Sequence, residues 1–348
     1  MAATYLFVGP SAIGTNWVDI SATGTTVALA DDSVSGAVPI GFTFNFGGTN
    51  YTQVFIGSNG WVFFGTTSTA FTNVGVASSP VNNVMMPYWG DLNPASTATR
   101  VRYQTVGTAP NRQFVVSYLG VPTYNTTGAN TFQLVLFENG RFQYNYQTTN
   151  TQGGGTGSEG FTVGYNFSAT DLVQFSLDTA SVPNNTSLTW YISPSLVNLK
   201  AVTVLTDPIN NATNPKYIPG AVAQYTINIS NTSAGVVDSG STVITDPIPA
   251  NTEMFTGGLT ATAPFTFIDG APVSGLACTF VSLASATDCI DFSNNSGATW
   301  TYTPSAASDY DPLVTNIRFR PTGALNGDTP PATAPYPNFR LNFKVRIK

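Results

Sequence analysis

Histidine is absent from all 348 residues of this chain, and charged side chains make up only 9% of it. Histidine is the usual general base near neutral pH and the commonest metal ligand, so its absence excludes Ser-His-Asp and Cys-His nucleophile systems and most zinc and copper sites. Two carboxylates can hydrolyse a glycosidic bond without histidine, and 18 acidic residues leave that alternative open. The composition nevertheless predicts a protein that is not an enzyme and holds no cofactor.

Most acidic residues stand in turn-like contexts rather than in pairs suited to chemistry. Several precede a proline, as Asp207 does, and a short carboxylate in that position commonly hydrogen-bonds its own backbone. A calcium cage needs about six or more oxygen ligands. Asp31 with Asp32 shows no recognised calcium-loop pattern. Asp309 with Asp311 shows none either, so we predict no metal site.

The net charge of -6 comes from scarce, scattered charges rather than from acidic or basic blocks. This distribution gives no nucleic-acid footprint. No apolar run reaches the ~20 residues needed to cross a bilayer. The first ten residues lack the basic start and the apolar core of a secretory signal, so an exported form would be the mature chain or one whose signal is replaced by Met1. We expect neither a nucleic-acid partner nor a membrane span.

The two cysteines of the chain, Cys278 and Cys289, lie in strand-like runs joined by a short polar linker. Neighbouring strands would bring them within disulfide reach. Such a bridge would stabilise the fold by about 3 kcal/mol and would indicate an oxidising compartment. The alternative is a pair of buried free thiols.

Period-2 alternation of apolar side chains recurs along the chain, whereas no 3.6-residue apolar stripe does. Residues 40–46 and 132–136 alternate in this way. Asn139 and Gly140 then separate two alternating runs, a strong hairpin signal in which both turn residues are expected to adopt positive φ. The pattern predicts an all-β protein built of antiparallel sandwiches.

A domain boundary is predicted near Pro194, where one alternating series ends and another begins. Further strands at about residues 161–166, 171–178 and 186–193 complete the first series. We therefore expect two β-sandwich domains, residues 1–195 and 196–348.

The first domain resembles the nidogen-like extracellular β-domain over about residues 38–166. The resemblance implies a jelly-roll-like sandwich of the kind found in matrix and cell-surface proteins, with no catalytic motif to transfer. It also implies that Ser58, Asn59 and Gly60 form a turn. The segments that carry it are residues 40–46, 57–64, 86–91, 131–144 and 163–166.

The second domain resembles the immunoglobulin-like repeat of bacterial surface proteins. Residues 219–231 and 243–252 carry the resemblance, which implies an immunoglobulin-like sandwich acting as a stalk or structural module. Such domains sometimes contain a Lys-Asn or Lys-Asp isopeptide bond. Lys200 and Asn342 are candidate partners, and the alternative is an ordinary exposed lysine.

The C-terminal residues alternate without a break, with apolar side chains on one face and basic or amide side chains on the other. Such a strand could complete the sheet of a neighbouring subunit. The interpretation we prefer is the last strand of its own sandwich, with charges guarding an edge. The possible assembly residues are Phe339, Leu341, Phe343, Val345 and Ile347.

Nine asparagines begin an Asn-x-Ser/Thr triplet, the acceptor pattern for N-glycosylation. Some triplets arise by chance in a chain so rich in serine and threonine, so occupancy stays open. They are Asn50, Asn125, Asn166, Asn184, Asn185, Asn211, Asn228, Asn231 and Asn294.

Taken together, these features predict an extracellular or cell-surface structural subunit of a bacterial surface filament, appendage or layer. It would self-associate into a homopolymer through neutral contacts, by sheet packing and strand addition. The alternative is an adhesin or carbohydrate-binding module whose exposed tryptophans stack on sugar rings. Buried tryptophans, which sandwiches routinely need, would argue against it. The five tryptophans are Trp17, Trp61, Trp89, Trp190 and Trp300.

Overall fold

The computed structural model describes residues 5–95, 97, 100–124, 129–149, 160–179, 181–328 and 334–348. Their regular structure is almost entirely strand, with two short 3-10 helices at Gly14–Asn16 and Val76–Ser78. The all-β prediction is therefore confirmed. The chain divides into two compact units, Met1–Ser193 and Pro194–Lys348.

The first unit consists of two antiparallel sheets. One has the strand order β1-β13-β10-β9-β8-β7-β2, and the other has the order β12-β11-β6-β5-β4-β3. The strands are β1 (Leu6–Ala12), β2 (Thr25–Thr26), β3 (Val38–Phe46), β4 (Thr49–Ile56), β5 (Val62–Phe63), β6 (Val84–Trp89), β7 (Val101–Val106), β8 (Gln113–Val121), β9 (Asn130–Phe137), β10 (Phe142–Thr148), β11 (Thr162–Ser168), β12 (Asp171–Leu177) and β13 (Thr186–Tyr191).

Alternation along β3 shows how the core of this unit is built. Every second side chain from Val38 to Phe46 is buried, and those between them point away. Aromatic rings fill much of the core, as where Trp190 stacks on Phe142 with centroids 5.5 Å apart. A buried aromatic pair contributes about 0.5–1.5 kcal/mol beyond the area that it buries.

Strands β8, β9 and β10 are buried on both faces, which simple alternation does not predict. The chain before β2 crosses the outer face of the seven-stranded sheet, where Ile20 packs with Val115 and Val135. The Gln133 amide donates to the Val18 carbonyl at 2.6 Å, and the Gln133 carbonyl accepts from the Val18 N–H at 3.3 Å. Because Gln133 finds both partners, a polar side chain can be buried there at little cost.

The turn between β9 and β10 differs from the predicted one. Gly140 has φ of +86°, but Asn139 does not have a positive φ. The Gly140 N–H donates to the Phe137 carbonyl at 2.9 Å, and the Asn139 side chain accepts from the Arg141 N–H at 3.2 Å. This is a three-residue loop with glycine at its left-handed position. The hairpin is present, but the expected pair of positive φ angles is wrong.

The second unit is also antiparallel. Its largest sheet has the order β14-β15-β24-β17-β21, with β18 also paired to β24, and it is accompanied by the sheets β16-β22-β20 and β19-β23. The strands are β14 (Leu196–Thr206), β15 (Val222–Asn231), β16 (Ile244–Pro247), β17 (Thr252–Phe255), β18 (Phe265–Asp269), β19 (Leu276–Ala277), β20 (Ile290–Ser293), β21 (Tyr310–Asp311), β22 (Asn316–Phe319), β23 (Thr322–Gly323) and β24 (Asn338–Ile347).

The C-terminal strand β24 is an inner strand of its own sheet. One side pairs with β15 along nearly its whole length, and the other side pairs with β18 and then β17. Its apolar face points into the core of the second unit. β24 thus belongs to the sandwich of its own chain, as we expect from the sequence, but it is not the edge strand that its charges are expected to guard. The other interpretation, that β24 completes the sheet of a neighbouring subunit, is wrong because both sides of β24 are already paired. The residues concerned are Phe339, Leu341, Phe343, Val345 and Ile347.

Cys278 and Cys289 form a disulfide between β19 and β20, with their Cα atoms 5.2 Å apart. The Cys289 N–H also donates to the Thr279 carbonyl at 3.0 Å. The predicted bridge is thus present, and it closes a short loop at the edge of the second core.

Candidate functional site

The longest edge strand in the described part of the chain is β14, with 11 residues. It pairs with β15 on one side, and no strand of the described residues pairs with its other side. Most of its side chains are exposed, including large apolar ones. The most exposed of these, Leu199, is 64% exposed, and the others are Leu196, Val197 and Val202.

This edge lacks the protection that sheet edges normally carry. Proteins guard free edges with charged side chains, prolines or bulges. The one charged residue of β14 is Lys200, whose Nζ is bound to Asp246 Oδ1 at 2.6 Å and lies 4.7 Å from the centre of the Tyr225 ring. The strand contains no proline, and its one register shift lies at its end, between Val204 and Thr206. An exposed, apolar edge of this kind presents backbone groups with which another strand could pair.

The first unit offers a shorter apolar edge at β1. Leu6, Phe7 and Val8 are exposed there. The register with β13 shifts between Val8 and Ser11, and Pro10 lies in the gap without an N–H to donate. Only the first half of β1 therefore presents a continuous row of backbone groups.

The edge at β3 is covered by side chains. The Thr105 hydroxyl donates to the Ile40 carbonyl at 2.7 Å, and an Arg112 N–H donates to the Gly41 carbonyl at 2.7 Å. Arg112 is itself held by Glu138, and this contact lowers the pKa of that carboxyl. Carbonyls that already accept these bonds are not available to a further strand.

Lys200 and Asn342 lie on opposite faces of their sheet. Lys200 stands opposite Ile227 and Asn342 opposite Thr226, and successive residues of a strand point to opposite faces. Asn342 Oδ1 accepts from the Thr226 hydroxyl at 2.8 Å. The hypothesis of an isopeptide bond between Lys200 and Asn342 is therefore wrong, and Lys200 is the ionic partner of Asp246.

The glycosylation triplets fall into distinct environments. Asn166 and Asn231 are buried and donate to backbone carbonyls, so neither can carry a glycan in the folded chain. Asn228 is half-buried on β15, and Asn125 lies outside the described residues. The exposed acceptors are Asn50, Asn184, Asn185, Asn211 and Asn294.

The tryptophans provide no open stacking platform. Trp61, Trp89 and Trp190 are fully buried, and Trp61 stacks on Trp89 with centroids 4.3 Å apart. Trp17 and Trp300 are half-buried, and the Arg318 guanidinium lies 4.8 Å from the centre of the Trp300 ring.

Among the described residues, Asp31, Asp32 and Asp91 form a group of three carboxylates with oxygens within 4.8 Å of one another. Burial, and then the neighbouring charge of Asp32, raise the pKa of Asp31. Asn59 donates its amide nitrogen to Asp32 at 2.9 Å, and its oxygen accepts from the Leu92 N–H at 3.0 Å. The group could contact a hard cation through three carboxylates, which is fewer oxygens than calcium usually takes.

A shallow cleft of about 380 Å³ on the first unit is lined by donors rather than acids. The described lining contains no carboxylate, so the cleft does not provide the acid pair that glycoside hydrolysis needs. Its residues are Ser21, Thr97, Arg100, Arg102, Leu119 and Gly120.

The two antiparallel units and their free edges define an all-β protein. A family model described as NIDO related matches residues 10–203, more than half of the chain, so the chain belongs to the NIDO-related family. This supports the nidogen-like resemblance and extends it beyond residues 38–166. The match ends at residue 203 and gives no support to the immunoglobulin-like resemblance of the second unit. No curated protein and no solved structure matches the chain.

Proposed function

We propose that this protein is a structural subunit of an extracellular surface assembly, a filament, appendage or layer, held together by contacts between copies of the chain. The observation that carries the proposal is the pair of exposed apolar sheet edges, β14 in one unit and β1 in the other. A single self-complementary surface gives a closed dimer, whereas two different surfaces on one chain permit growth.

Composition and chemistry support the same proposal. With few charges, subunit contacts would be apolar and hydrogen-bonded rather than ionic. The disulfide between Cys278 and Cys289 fits an oxidising, extracellular compartment, as does membership of a nidogen-related family. No helix in the described residues is long and apolar enough to span a membrane. The second unit would serve as an immunoglobulin-like stalk.

Electron microscopy of the full chain across a concentration series tests the proposal. We expect regular filaments or sheets at high concentration. Val8→Lys, on the exposed part of β1, should shorten or abolish them, because a charge on an edge strand opposes pairing. Val281→Lys is the matched control, since Val281 is exposed to a similar degree and lies outside the strands.

Single particles of one size at every concentration would overturn the proposal. That outcome would direct attention to the adhesin or carbohydrate-binding alternative, which glycan-array binding of the wild-type chain would then test. If Val8→Lys and Val281→Lys weaken assembly equally, β1 is not a contact surface.

A further inference from the structure

The free side of β14 leaves a row of backbone groups without strand partners. Among the hydrogen bonds of the described residues, the one that reaches this strand's backbone from outside the sheet joins the Tyr217 hydroxyl to the Val202 carbonyl at 3.4 Å. That bond is long, and Tyr217 is 60% exposed, so an incoming strand can displace it. The edge is therefore open to an added strand.

The length of β14 limits which strand can fill it. The other exposed apolar edge, β1, is interrupted at Pro10. The carbonyls of β3 are occupied, and β12 has 7 residues with two register shifts against β11. Within the described part of the chain, the edge strand that matches β14 in length and continuity is β14 itself.

We propose that β14 pairs in antiparallel fashion with β14 of a second copy about a two-fold axis. Pairing centred on Ala201 spans residues 198–204 and stops before the register shift at Val204 and Thr206. In that register Ala201 faces its own copy, and Leu199 faces Thr203 of the second copy. All three side chains lie on the outer face, so the two sheets join into one continuous sheet.

Charge also favours a second copy as the occupant. A two-fold contact brings charges close to the axis near their own copies, and like charges across a strand pair are destabilising. The charge on β14 is already neutralised, because Lys200 is bound to Asp246 on β16. Two identical edges can therefore approach without ionic repulsion, whereas an acidic or basic peptide would gain nothing from this neutral edge.

The inference rests on the proposed function and specifies one of its contacts. A two-fold β14 pair is closed, so it produces a dimer and leaves β1 of each copy as a second surface for growth. Dimer formation and polymer growth are thus separate events that can be measured separately.

Sedimentation velocity of the full chain across a concentration series tests the pairing. Ala201→Lys and Ala201→Glu should each weaken the dimer at least about tenfold, because each places like charges opposite one another at the axis. An equimolar mixture of the two variants should regain the dimer, because opposite charges then face each other. Ala277→Lys, a charge on another exposed strand alanine of the same unit, should leave the dimer unchanged.

The outcomes separate the two ideas. Loss of the dimer in both variants with rescue in the mixture supports the pairing, even if no larger assembly forms and the polymer proposal fails. Assemblies unaffected by either Ala201 variant overturn the pairing and leave the proposed function standing. A wild-type chain that stays monomeric throughout overturns both. Far-ultraviolet circular dichroism checks that each variant is folded.

Discussion

Gly60 shows how one residue determines a local path of the chain. It closes the turn between β4 and β5 with φ of +77°, and an added Cβ would lie 2.1 Å from the Tyr88 carbonyl oxygen. Neither the conformation nor the space suits any other residue. The sequence pattern Ser58, Asn59, Gly60 predicts this turn, but it gives no sign that the neighbour is the backbone of β6.

We expect Gly60→Ala to destabilise the first unit by about 2–4 kcal/mol, because positive-φ strain and a backbone clash add together. Gly36→Ala is the control, since a Cβ there meets nothing within 4 Å, and it should change stability by less than about 0.5 kcal/mol. Urea unfolding followed by tryptophan fluorescence measures both. Equal losses of stability from the two substitutions would contradict the conclusion that Gly60 is required by its positive φ and by the nearby Tyr88 carbonyl.

The sequence repeats the pattern Thr-Asp-Pro-Ile at Asp207 and Asp246, yet the structure gives the two aspartates different tasks. Asp207 accepts N–H bonds from Ile209, Asn210 and Lys216 and organises the loop after β14. Asp246 lies on β16 and binds Lys200. Local sequence predicts a turn at both positions, but it cannot predict which aspartate meets a cation from a distant strand.

The loop after β14 should respond to acid through Asp207. Backbone hydrogen bonds, led by that of Asn210, lower the pKa of Asp207 to about 2. A lowered carboxyl pKa contributes stability that is present above the unfolded value of about 3.9 and is lost as the pH falls towards 2. Asp207→Asn should therefore lose less stability than the wild type between about pH 4 and pH 2.

Urea midpoints at several pH values across that window, read by circular dichroism, give the comparison. If the urea midpoints of the two proteins fall in parallel as the pH is lowered, the hydrogen bonds to Asp207 do not depend on its charge. A steeper loss of stability in Asp207→Asn than in the wild type would contradict the predicted effect of the lowered Asp207 pKa.

Strand existence was predictable in this chain, whereas strand order was not. Alternation predicts β3 and β24 because each has one apolar face, and it predicts β9 and β10 as strands although both of their faces are buried. It cannot predict that β24 lies between β15 and β18, since pairing depends on contacts far apart in sequence. For the same reason the sequence does not predict that β14 lies at a free edge. Its sequence resembles that of an ordinary alternating strand. The one feature that indicates a free edge is the near absence of charge on a strand that begins just after the boundary at Pro194.

At the scale of the whole molecule, scarcity of charge is the property that most constrains behaviour. Of the described ion pairs, those of Arg318 and Arg320 share the single carboxylate of Asp291, so several of the few charges are already used within the chain. The remaining charges are sparse for a chain of 348 residues. Self-association should therefore depend on apolar burial and backbone hydrogen bonds.

With so few charges, association of the copies should depend only weakly on salt concentration. Between about 0.05 and 0.5 M sodium chloride the association constant should change by less than about threefold, because screening acts mainly on exposed charges. Ammonium sulfate should strengthen association, since excluded salts favour burial of apolar surface. Light scattering at fixed protein concentration measures both. Assemblies that dissolve as sodium chloride rises would indicate that the contacts are ionic and that the exposed apolar edges are not the surfaces that join the copies.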